Sequence, residues 1–581
     1  MAGRGHDERD LGIHEYVSPE TAAIGGVLKR RAADFEVHEI DLKGEPIYLV
    51  EDDASAAASA SAEEDTDDPE AVVRFVLHKE RMDTLAAVGV LSKILGVPVR
   101  SFGFAGLKDH RAITAQELTV RGVTPAAVRA ARHPHFRICR VRRVARPLKL
   151  GQLGGNRFRI VMRDVKAACA ADVETALTAL RKRGFINYYG PQRFGECATR
   201  NDEVGKNLLL GAYTCAVDAL LGPVEGGTHV SHTISGAEIE ARAAWLHSGD
   251  ARTALKLMPK ARTLEREVLG GLVRLTTSPY SSGLPHDARC RLAILGLPLG
   301  VRRLLVHSYF SKAFNAVASE RVRRHGLAPA RAGELVIERK KLLRGRGGAG
   351  ARRAAVHTVT EADAASGRYS AWQVVLPLPG TDVRMPTTAE GAFFSQWLQF
   401  DGIDPACPAL ERGAMRREYE GLTAEGSMDS QATAAWEAAA EEEEAANWFI
   451  LPGDYRALLL RPRKMSWAVV RTDDEGSSSD AEGGEHRPRC RPAVVHARHR
   501  SRNRKAGVVP AAAAPSAADD TACDPASAGP ATSTATEPHA GSESVRVEFD
   551  LPPGAYATMA LREVSKHQRP ASRLTHIRFD L

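Results

Sequence analysis

The sequence predicts an α+β protein whose strands lie near both ends of the chain and whose middle is mainly helical. Residues 73–78 alternate in the pattern of a half-buried strand. Residues 200–390 show helical periodicity instead, most clearly over 304–324. A strand pattern returns at 545–549 after a long low-complexity stretch. This last strand is therefore expected to pair with a distant part of the chain.

Length and composition limit the class of protein. A chain of 581 residues is too long for one compact core, so two domains with linkers are expected. No apolar stretch reaches the length of a bilayer-spanning helix, and residues 1–10 lack the apolar core of a secretory signal. The eight cysteines are scattered without C-x-x-C or Cys/His pairing, which favours a reducing compartment and argues against zinc or a disulfide framework.

Low-complexity segments interrupt the chain. Residues 1–20 are expected to be a flexible lead, 51–69 a disordered surface insertion, and 472–544 a disordered basic insertion. Between the first two insertions, helices are predicted over 83–95 and 166–184, each with an apolar stripe on one face. The ordered part of the chain is thus expected in separate blocks.

One segment, residues 102–116, contains the residues most suited to chemistry. It places a single carboxylate, Asp109, between Lys108 and the pair His110-Arg111. Neighbouring positive charge lowers the pKa of a carboxyl group, so this side chain is expected to be ionised near neutral pH. A charged Asp on a turn before a strand suits a nucleophile or an electrostatic stabiliser. The alternative is a solvated, charged turn without a chemical role.

Positive charge is concentrated near this segment, although the net charge of the chain is only +7. Residues 118–163 contain twelve Lys or Arg residues and no Asp or Glu. Such a run is either a solvated face or a surface for a phosphate backbone, and its place beside Asp109 favours the second. Nucleic acid is therefore the favoured class of partner.

Three longer motifs occur in order: Ala105-Gly106-x-Lys108-Asp109-x-x-Ala112-x-Thr114-x-Gln116, Gly155-Asn156-x-Phe158, and Asn187-Tyr188-x-Gly190-x-Gln192-Arg193-Phe194-Gly195. Shorter ones accompany them: Asp34-Phe35, Leu376-Pro377-Leu378-Pro379-Gly380, Ser466-Trp467 and Pro553-Gly554-x-Tyr556-Ala557-Thr558. Together these seven motifs, over roughly residues 24–570, resemble the TruD family of pseudouridine synthases. Phe75-Val76-Leu77-x-Lys79-Glu80 and the Leu376–Gly380 motif are most similar to its eukaryotic branch.

The resemblance implies a fold and a domain order. It implies a catalytic domain with a mixed, largely antiparallel sheet, split in sequence by an inserted α/β domain specific to the family. We place the insertion at 187–455, so that residues 21–186 and 456–581 together form the catalytic domain.

The resemblance also implies an activity that needs neither cofactor nor metal. The family isomerises uridine within RNA: the glycosidic bond breaks, the uracil turns over, and a new bond forms through C5. Asp109 would be the essential carboxylate, as nucleophile at the sugar, as base at the 2′ position, or as stabiliser of a cationic sugar. The sequence does not choose among these roles. In each case the uridine must leave its stack.

Further site residues are carried over from the resemblance, each with a structural alternative. Phe158 would stack on the flipped base, with Asn156 contacting a base edge or phosphate, yet Phe158 also fits a core strand. Phe35 fits an active-site aromatic or a core residue equally well. Four other residues are carried over in the same way. Tyr556 stands where bacterial members carry Phe, and Lys29 is a counter-charge for Asp109 or an ordinary surface lysine. Gln192 and Arg193 would contact the RNA or the loop.

The expected substrate is RNA, with tRNA favoured and its position 13 as the family precedent, although other RNAs are open. A monomer without membrane or metal partners is expected, located in the nucleus, the cytoplasm or both, with an organelle not excluded. A second hypothesis is an inactive RNA-binding or chaperone protein on the same scaffold. A weaker one is an RNA nuclease or glycosylase that uses Asp109.

Overall fold

A computed structural model describes residues 8–49, 72–167, 170–195, 200–223, 235–260, 263–277, 283–338, 348–404, 451–470 and 543–566. By their contacts these residues belong to one compact unit. The predicted insertion at 51–69, and the one at 472–544 except for its last two residues, lie outside the described residues. The boundaries at 187 and 455 stay a prediction.

The strands, in chain order, are Gly25–Val27 (β1), Phe35–Ile40 (β2), Val72–Glu80 (β3), Phe102–Phe104 (β4), Ile113–Arg121 (β5), Phe136–Val144 (β6), Gly155–Val165 (β7), Phe185–Ile186 (β8), Leu335–Ile337 (β9), Val356–Thr358 (β10), Val375–Leu378 (β11), Asp454–Ala457 (β12), Leu459–Leu460 (β13), Arg463–Val470 (β14) and Glu543–Leu551 (β15).

The helices are Thr84–Leu95 (α1), Pro125–Ala130 (α2), Ala170–Arg183 (α3), Asn201–Leu209 (α4), Tyr213–Leu221 (α5), Gly236–Ser248 (α6), Ala251–Leu257 (α7), Leu264–Thr277 (α8), His286–Leu295 (α9), Leu299–His325 (α10), Gly348–Ala354 (α11), Glu361–Ala365 (α12), Ala389–Phe400 (α13) and Ala557–Ser565 (α14). The three helices predicted from periodicity correspond to α1, α3 and α10.

A nine-stranded sheet organises the fold, in the order β14-β15-β7-β2-β5-β3-β6, with β1 also on β7 and β4 also on β5. The pair β2–β5 is parallel and the other pairs are antiparallel, which confirms the α+β class and the mixed, largely antiparallel sheet. The returning strand β15 lies between β14 and β7, as its isolation in the sequence predicted. It begins at Glu543, so the boundary placed at 544 was two residues late.

One face of this sheet is apolar and packs against the helical part of the chain. Phe35, Phe158 and Phe549 come from three adjacent strands and share one core cluster with side chains of α10. A second cluster lies between the same face and helices α1 and α2. This face of the sheet is therefore a rigid, close-packed surface for the loops that join its strands.

The N-terminal segment differs from its prediction. Residues 8–20, expected to be a flexible lead, are packed, with Leu11, Ile13 and Val17 buried. The Glu563 carboxylate in α14 accepts a hydrogen bond from the Ser18 amide. This order depends on partners in α10 and α14, for example Asn315 and Glu563, which lie 304 and 545 residues away from the residues they bond. Local composition does not reveal such partners.

Among the described helices, none is both long and apolar enough to cross a membrane.

Candidate active site

Asp109 lies in the loop that joins β4 to β5, and neighbouring side chains hold this loop in place. The Lys108 amide donates to Thr84 Oγ1 at 2.9 Å, and Gln116 Nε2 donates to the Gly106 carbonyl at 3.0 Å. Thr84 and Gln116 are themselves hydrogen-bonded at 2.8 Å. The loop is thus fixed at its backbone, which preorganises the carboxylate it carries.

A fully buried lysine, Lys79, also holds this loop in place through hydrogen bonds. Its Nζ donates to the carbonyls of Met82, Asp109 and Lys108 at 2.6, 3.2 and 3.4 Å. Burial lowers the pKa of Lys79 to about 8 because it penalises the charged form. The sequence analysis assigned this residue no role. A lysine on the inward face of an otherwise apolar strand was the signal that could have identified it.

Among the described residues, the Asp109 carboxylate has one close cation and one oxygen without a hydrogen bond. Lys29 Nζ donates to Asp109 Oδ2 at 2.7 Å, and Gln192 Nε2 approaches the same oxygen at 3.4 Å. The side chains of Lys29 and Asp109 are 18% and 34% exposed. Within the described residues, Oδ1 accepts no hydrogen bond. The sequence-predicted residues Lys29, Asp109 and Gln192 are therefore brought together, with one oxygen left for a substrate.

The position of Lys29 is unusual in two ways. Its backbone adopts a φ of 56°, a conformation that costs a non-glycine residue about 1 kcal/mol and is often found at functional sites. Its Nζ also lies 4.3 Å from the centroid of the Phe35 ring, within range of a cation–π contact. A specific local geometry, rather than an ordinary surface position, therefore places this lysine on Asp109.

Lys108 faces away from Asp109. Its Nζ donates to Glu39 Oε2 at 2.8 Å, and both side chains are 3% exposed. Burial raises the pKa of the Glu39 carboxyl group, and the Lys108 charge opposes that rise. The lysine next to the candidate catalytic carboxylate thus neutralises another acid and anchors the loop.

The aromatic residues predicted to hold a base are buried in the structure. The rings of Phe35 and Phe158 meet edge to face with centroids 6.1 Å apart, and Phe549 lies 5.7 Å from Phe158. Phe158 is 7% exposed and belongs to the core cluster. The structure thus shows the packing expected of core residues, directly beside Lys29.

Asn156 lies two residues before Phe158 on the same face of β7, opposite Glu39 and Leu551. Its Oδ1 is buried and accepts no hydrogen bond in the described part of the chain. A buried acceptor without a partner costs about 1–3 kcal/mol, so it is a natural place for a donor brought by a ligand.

Tyr556 lies against the segment that leads to Gln192. Its ring packs against Gly190, where an added Cβ would stand 3.0 Å from Tyr556 Cδ1, and it meets Tyr189 at 6.2 Å. Burial is the largest cause that raises the pKa of Tyr556, and the Asp109 charge adds to the rise.

Two further site residues are arginines, and one of them was missed by the sequence analysis. Arg456 donates to the Asn187 carbonyl and to Asn187 Oδ1, each at 2.8 Å, and lies 4.0 Å from the centroid of Tyr189. Asn187 therefore shapes the loop. Arg193 has a buried Nε without a hydrogen-bond partner among the described residues. Sequence spacing pointed to Arg193, whereas Arg456 lies in β12 and belongs to none of the motifs.

Comparison with known proteins gives one family. The family model described as tRNA pseudouridine synthase D (TruD) matches residues 10–462. The mouse protein "Pseudouridylate synthase 7 homolog" is 29% identical over 503 residues, which is 85% of this chain and 58% of that protein. The chain thus spans little more than half the length of such relatives.

An archaeal relative and a solved structure agree. "Probable tRNA pseudouridine synthase D" of Thermococcus onnurineus is 33% identical over 328 residues, covering 56% of this chain and 68% of that protein. A Methanosarcina mazei crystal structure, provisionally described as tRNA pseudouridine synthase D, superimposes with a TM-score of 0.53 at 20% identity. It covers 96% of this chain and 97% of its own, and supports the fold.

Proposed function

Because this chain belongs to the TruD family of pseudouridine synthases, we propose that it isomerises uridine to pseudouridine within RNA, with Asp109 as the catalytic carboxylate. The observation that carries the proposal is the state of that carboxylate. Oδ2 is held by Lys29 at 2.7 Å on a loop fixed at its backbone, while Oδ1 accepts no hydrogen bond from the described residues.

The reaction exchanges one bond of the ribose for another. The bond between C1′ and N1 breaks and leaves its electron pair on the uracil, the uracil turns, and C5 bonds to C1′. A base then removes the proton from C5, and N1 takes up a proton. An anionic oxygen fixed beside the sugar stabilises the positive charge that develops when the first bond breaks, or bonds to the sugar directly. Lys29 and Gln192 hold one oxygen, so the other meets the substrate without reorganisation.

The flipped base requires a surface and a polar contact. We assign the surface to Phe158 and Phe35, whose rings lie beside Lys29. Asn156 Oδ1, the buried acceptor without a partner, suits the N3–H donor of uracil. Tyr556 would close the opposite side of the pocket. Since Phe158 is buried at present, base entry would require a rearrangement of these rings.

RNA is the proposed substrate class, and tRNA the proposed substrate. The support is chemical and comparative: residues 118–163 carry twelve cationic side chains, and archaeal relatives are named as probable tRNA enzymes. The buried, unpaired Nε of Arg193 supplies a donor for a phosphate beside the target nucleotide.

Release of tritium from C5-labelled uridine in RNA tests the activity. The wild-type protein is expected to release label without breaking the RNA chain. Asp109→Ala is expected to bind the same RNA and release none. Wild-type binding without release would instead identify an RNA-binding protein, and free uracil or chain scission would identify a glycosylase or nuclease.

The substrate is tested by mapping pseudouridine in bulk tRNA from cells with and without this chain. Loss of pseudouridine at one tRNA position, restored by the wild-type protein but not by Asp109→Ala, is expected. An unchanged tRNA map together with active protein would assign the activity to another RNA class.

A further inference from the structure

A second charged feature lies along the same sheet, and Glu39, the partner of Lys108, forms part of its lining. It is a groove of about 690 Å³, lined mainly by β3, β5 and β6, the turn after β2 and the loop before β7. We call it the basic groove. Six cationic side chains line it, against three carboxylates: Lys43, Arg74, Arg121, Arg142, Arg146 and Lys149, against Glu39, Asp41 and Glu117.

The three carboxylates are already engaged. Glu39 pairs with Lys108, and Glu117 accepts from Arg142 at 2.8 Å and from Arg74 at 3.4 Å. Asp41 Oδ1 accepts two backbone amides of its own turn. The groove therefore has a surplus of positive charge that its own acids do not neutralise.

Four cations at the groove have no ion pair within the described part of the chain: Lys43, Arg121, Arg146 and Lys149. All four are exposed. In addition, Arg74 Nε is buried without a hydrogen-bond partner. Uncompensated cations that surround one cavity are the electrostatic signature of a site for several anionic groups.

The basic groove is connected to the candidate catalytic loop. The Gly151 amide donates to the Ala105 carbonyl at 2.8 Å, so the loop that carries Arg146 and Lys149 is bonded to the loop that carries Asp109. Leu107 and Leu150, one on each loop, are 59% and 72% exposed. Between the two charged sites there is thus apolar surface on which sugars and bases can lie.

The groove extends along β5 from the candidate catalytic loop. Its lining residue Glu39 is bonded to Lys108 of that loop, whereas Glu117 and Arg121 lie four and eight residues after the first residue of β5. At about 3.3 Å per residue, the groove spans about 13 Å between Glu117 and Arg121. A stacked nucleic-acid strand advances about 3.4 Å per nucleotide, so this length corresponds to about four nucleotides.

We propose that the basic groove binds the phosphates of the same RNA strand, on the nucleotides that extend past the target uridine. The inference rests on the proposed function, since it takes RNA as the substrate. The groove would fix the register of the RNA while Asp109 acts on one nucleotide. Phosphate contacts of this kind position a nucleic acid without reading its sequence.

The test uses two unstructured RNAs, each with one uridine: one of about 20 nucleotides, and one of about three with the uridine in its centre, which extends only about 3.4 Å, one nucleotide, to either side. The double variant Arg146→Ala/Lys149→Ala removes two exposed cations. Arg252→Ala/Lys256→Ala removes two exposed cations on α7, with the same change in net charge, and serves as the control. Fluorescence anisotropy over a series of salt concentrations gives the affinity and its salt dependence.

For the long RNA, the groove variant is expected to bind more weakly, and the slope of log affinity against log salt to become shallower by about 1.4, or 0.7 per lost contact. For the short RNA, binding and tritium release are expected to match the wild type. A groove variant that equals the control on the long RNA overturns the groove. Absence of tritium release by the wild-type protein overturns the proposed function instead, whatever the binding data show.

Discussion

The candidate catalytic loop contributes Lys108 and Asp109 to two different lysine–carboxylate pairs. The pairs have the same chemistry but differ in exposure and in hydrogen bonding. Lys29 and Asp109 meet at 2.7 Å with side chains 18% and 34% exposed. Lys108 and Glu39 meet at 2.8 Å with both side chains 3% exposed. The first pair leaves one carboxylate oxygen without a hydrogen bond, whereas the second is enclosed, with the Glu117 amide approaching the other oxygen.

The difference assigns the two pairs to different tasks. An accessible pair contributes little to stability, because water screens it and competes for its hydrogen bonds. A buried pair contributes little net stability as a unit, but loss of one partner leaves an uncompensated charge in the interior. We call Lys29–Asp109 the open pair and Lys108–Glu39 the closed pair. We therefore expect the open pair to control turnover and the closed pair to control folding.

Glu39→Gln should have the largest effect on stability. The substitution leaves the buried Lys108 ammonium without its carboxylate, which costs about 3–5 kcal/mol of unfolding free energy. Asp109→Asn, at the accessible pair, should change stability by less than about 1 kcal/mol while turnover falls by about 10⁴-fold or more. Urea unfolding and tritium release, measured on both variants, separate the two effects.

The double variant Glu39→Gln/Lys108→Met is the matched control for that comparison. Because it removes both charges, it should recover a large part of the lost stability. If Glu39→Gln unfolds no more easily than the wild type, or if Asp109→Asn is the less stable variant, the assignment of tasks is wrong.

The sequence revealed the open pair and not the closed one. Asp109 lies within a local motif, and Lys29 was carried over from the family resemblance. The partner of Lys108 is Glu39, 69 residues earlier, and only the register that sets β2 beside β5 brings them together. The burial of residues 8–20 and the role of Arg456 escaped for the same reason, since both depend on long-range contacts.

The strands were easier to predict than the contacts of their charged side chains. Alternation identifies a strand from its own residues, which is why β3 and β15 appear near their predicted positions. The partner of a charged side chain depends on which strands become neighbours, and alternation carries no information about that.

Lys29→Met should lower turnover by about 10²–10³-fold with little change in stability, because it removes the one close cation from a carboxylate that must be correctly placed and charged. Lys29→Arg, which keeps the charge, should recover part of the activity. The equivalent exposed lysine on α1, Lys93→Met, provides a control and should turn over normally. Normal turnover by Lys29→Met would show that the Asp109 loop needs no counter-charge.

Lys79 links the two pairs, since its Nζ donates to the carbonyls of both Lys108 and Asp109. Burial lowers the pKa of Lys79 from 10.5 to about 8. Below pH 8 the lysine is protonated in the folded and the unfolded chain alike. Between about pH 8 and 10.5 the unfolded chain retains a proton that the folded chain has released, so the unfolding free energy should rise with pH.

The rise attributable to Lys79 should be at most about 3 kcal/mol over that range, and Lys79→Met should abolish it while Lys93→Met retains it.

Turnover should move the opposite way. A neutral Lys79 has one N–H donor fewer for three carbonyls, so the Asp109 loop is less firmly held above pH 8. Urea unfolding and tritium release across this pH range test both halves. The expected outcome is that the wild type gains stability and loses turnover as the pH rises through this range, whereas Lys79→Met shows neither change. This outcome would show that the charge on Lys79 favours the geometry of the site at the expense of the fold. Identical pH profiles for the two proteins would contradict it.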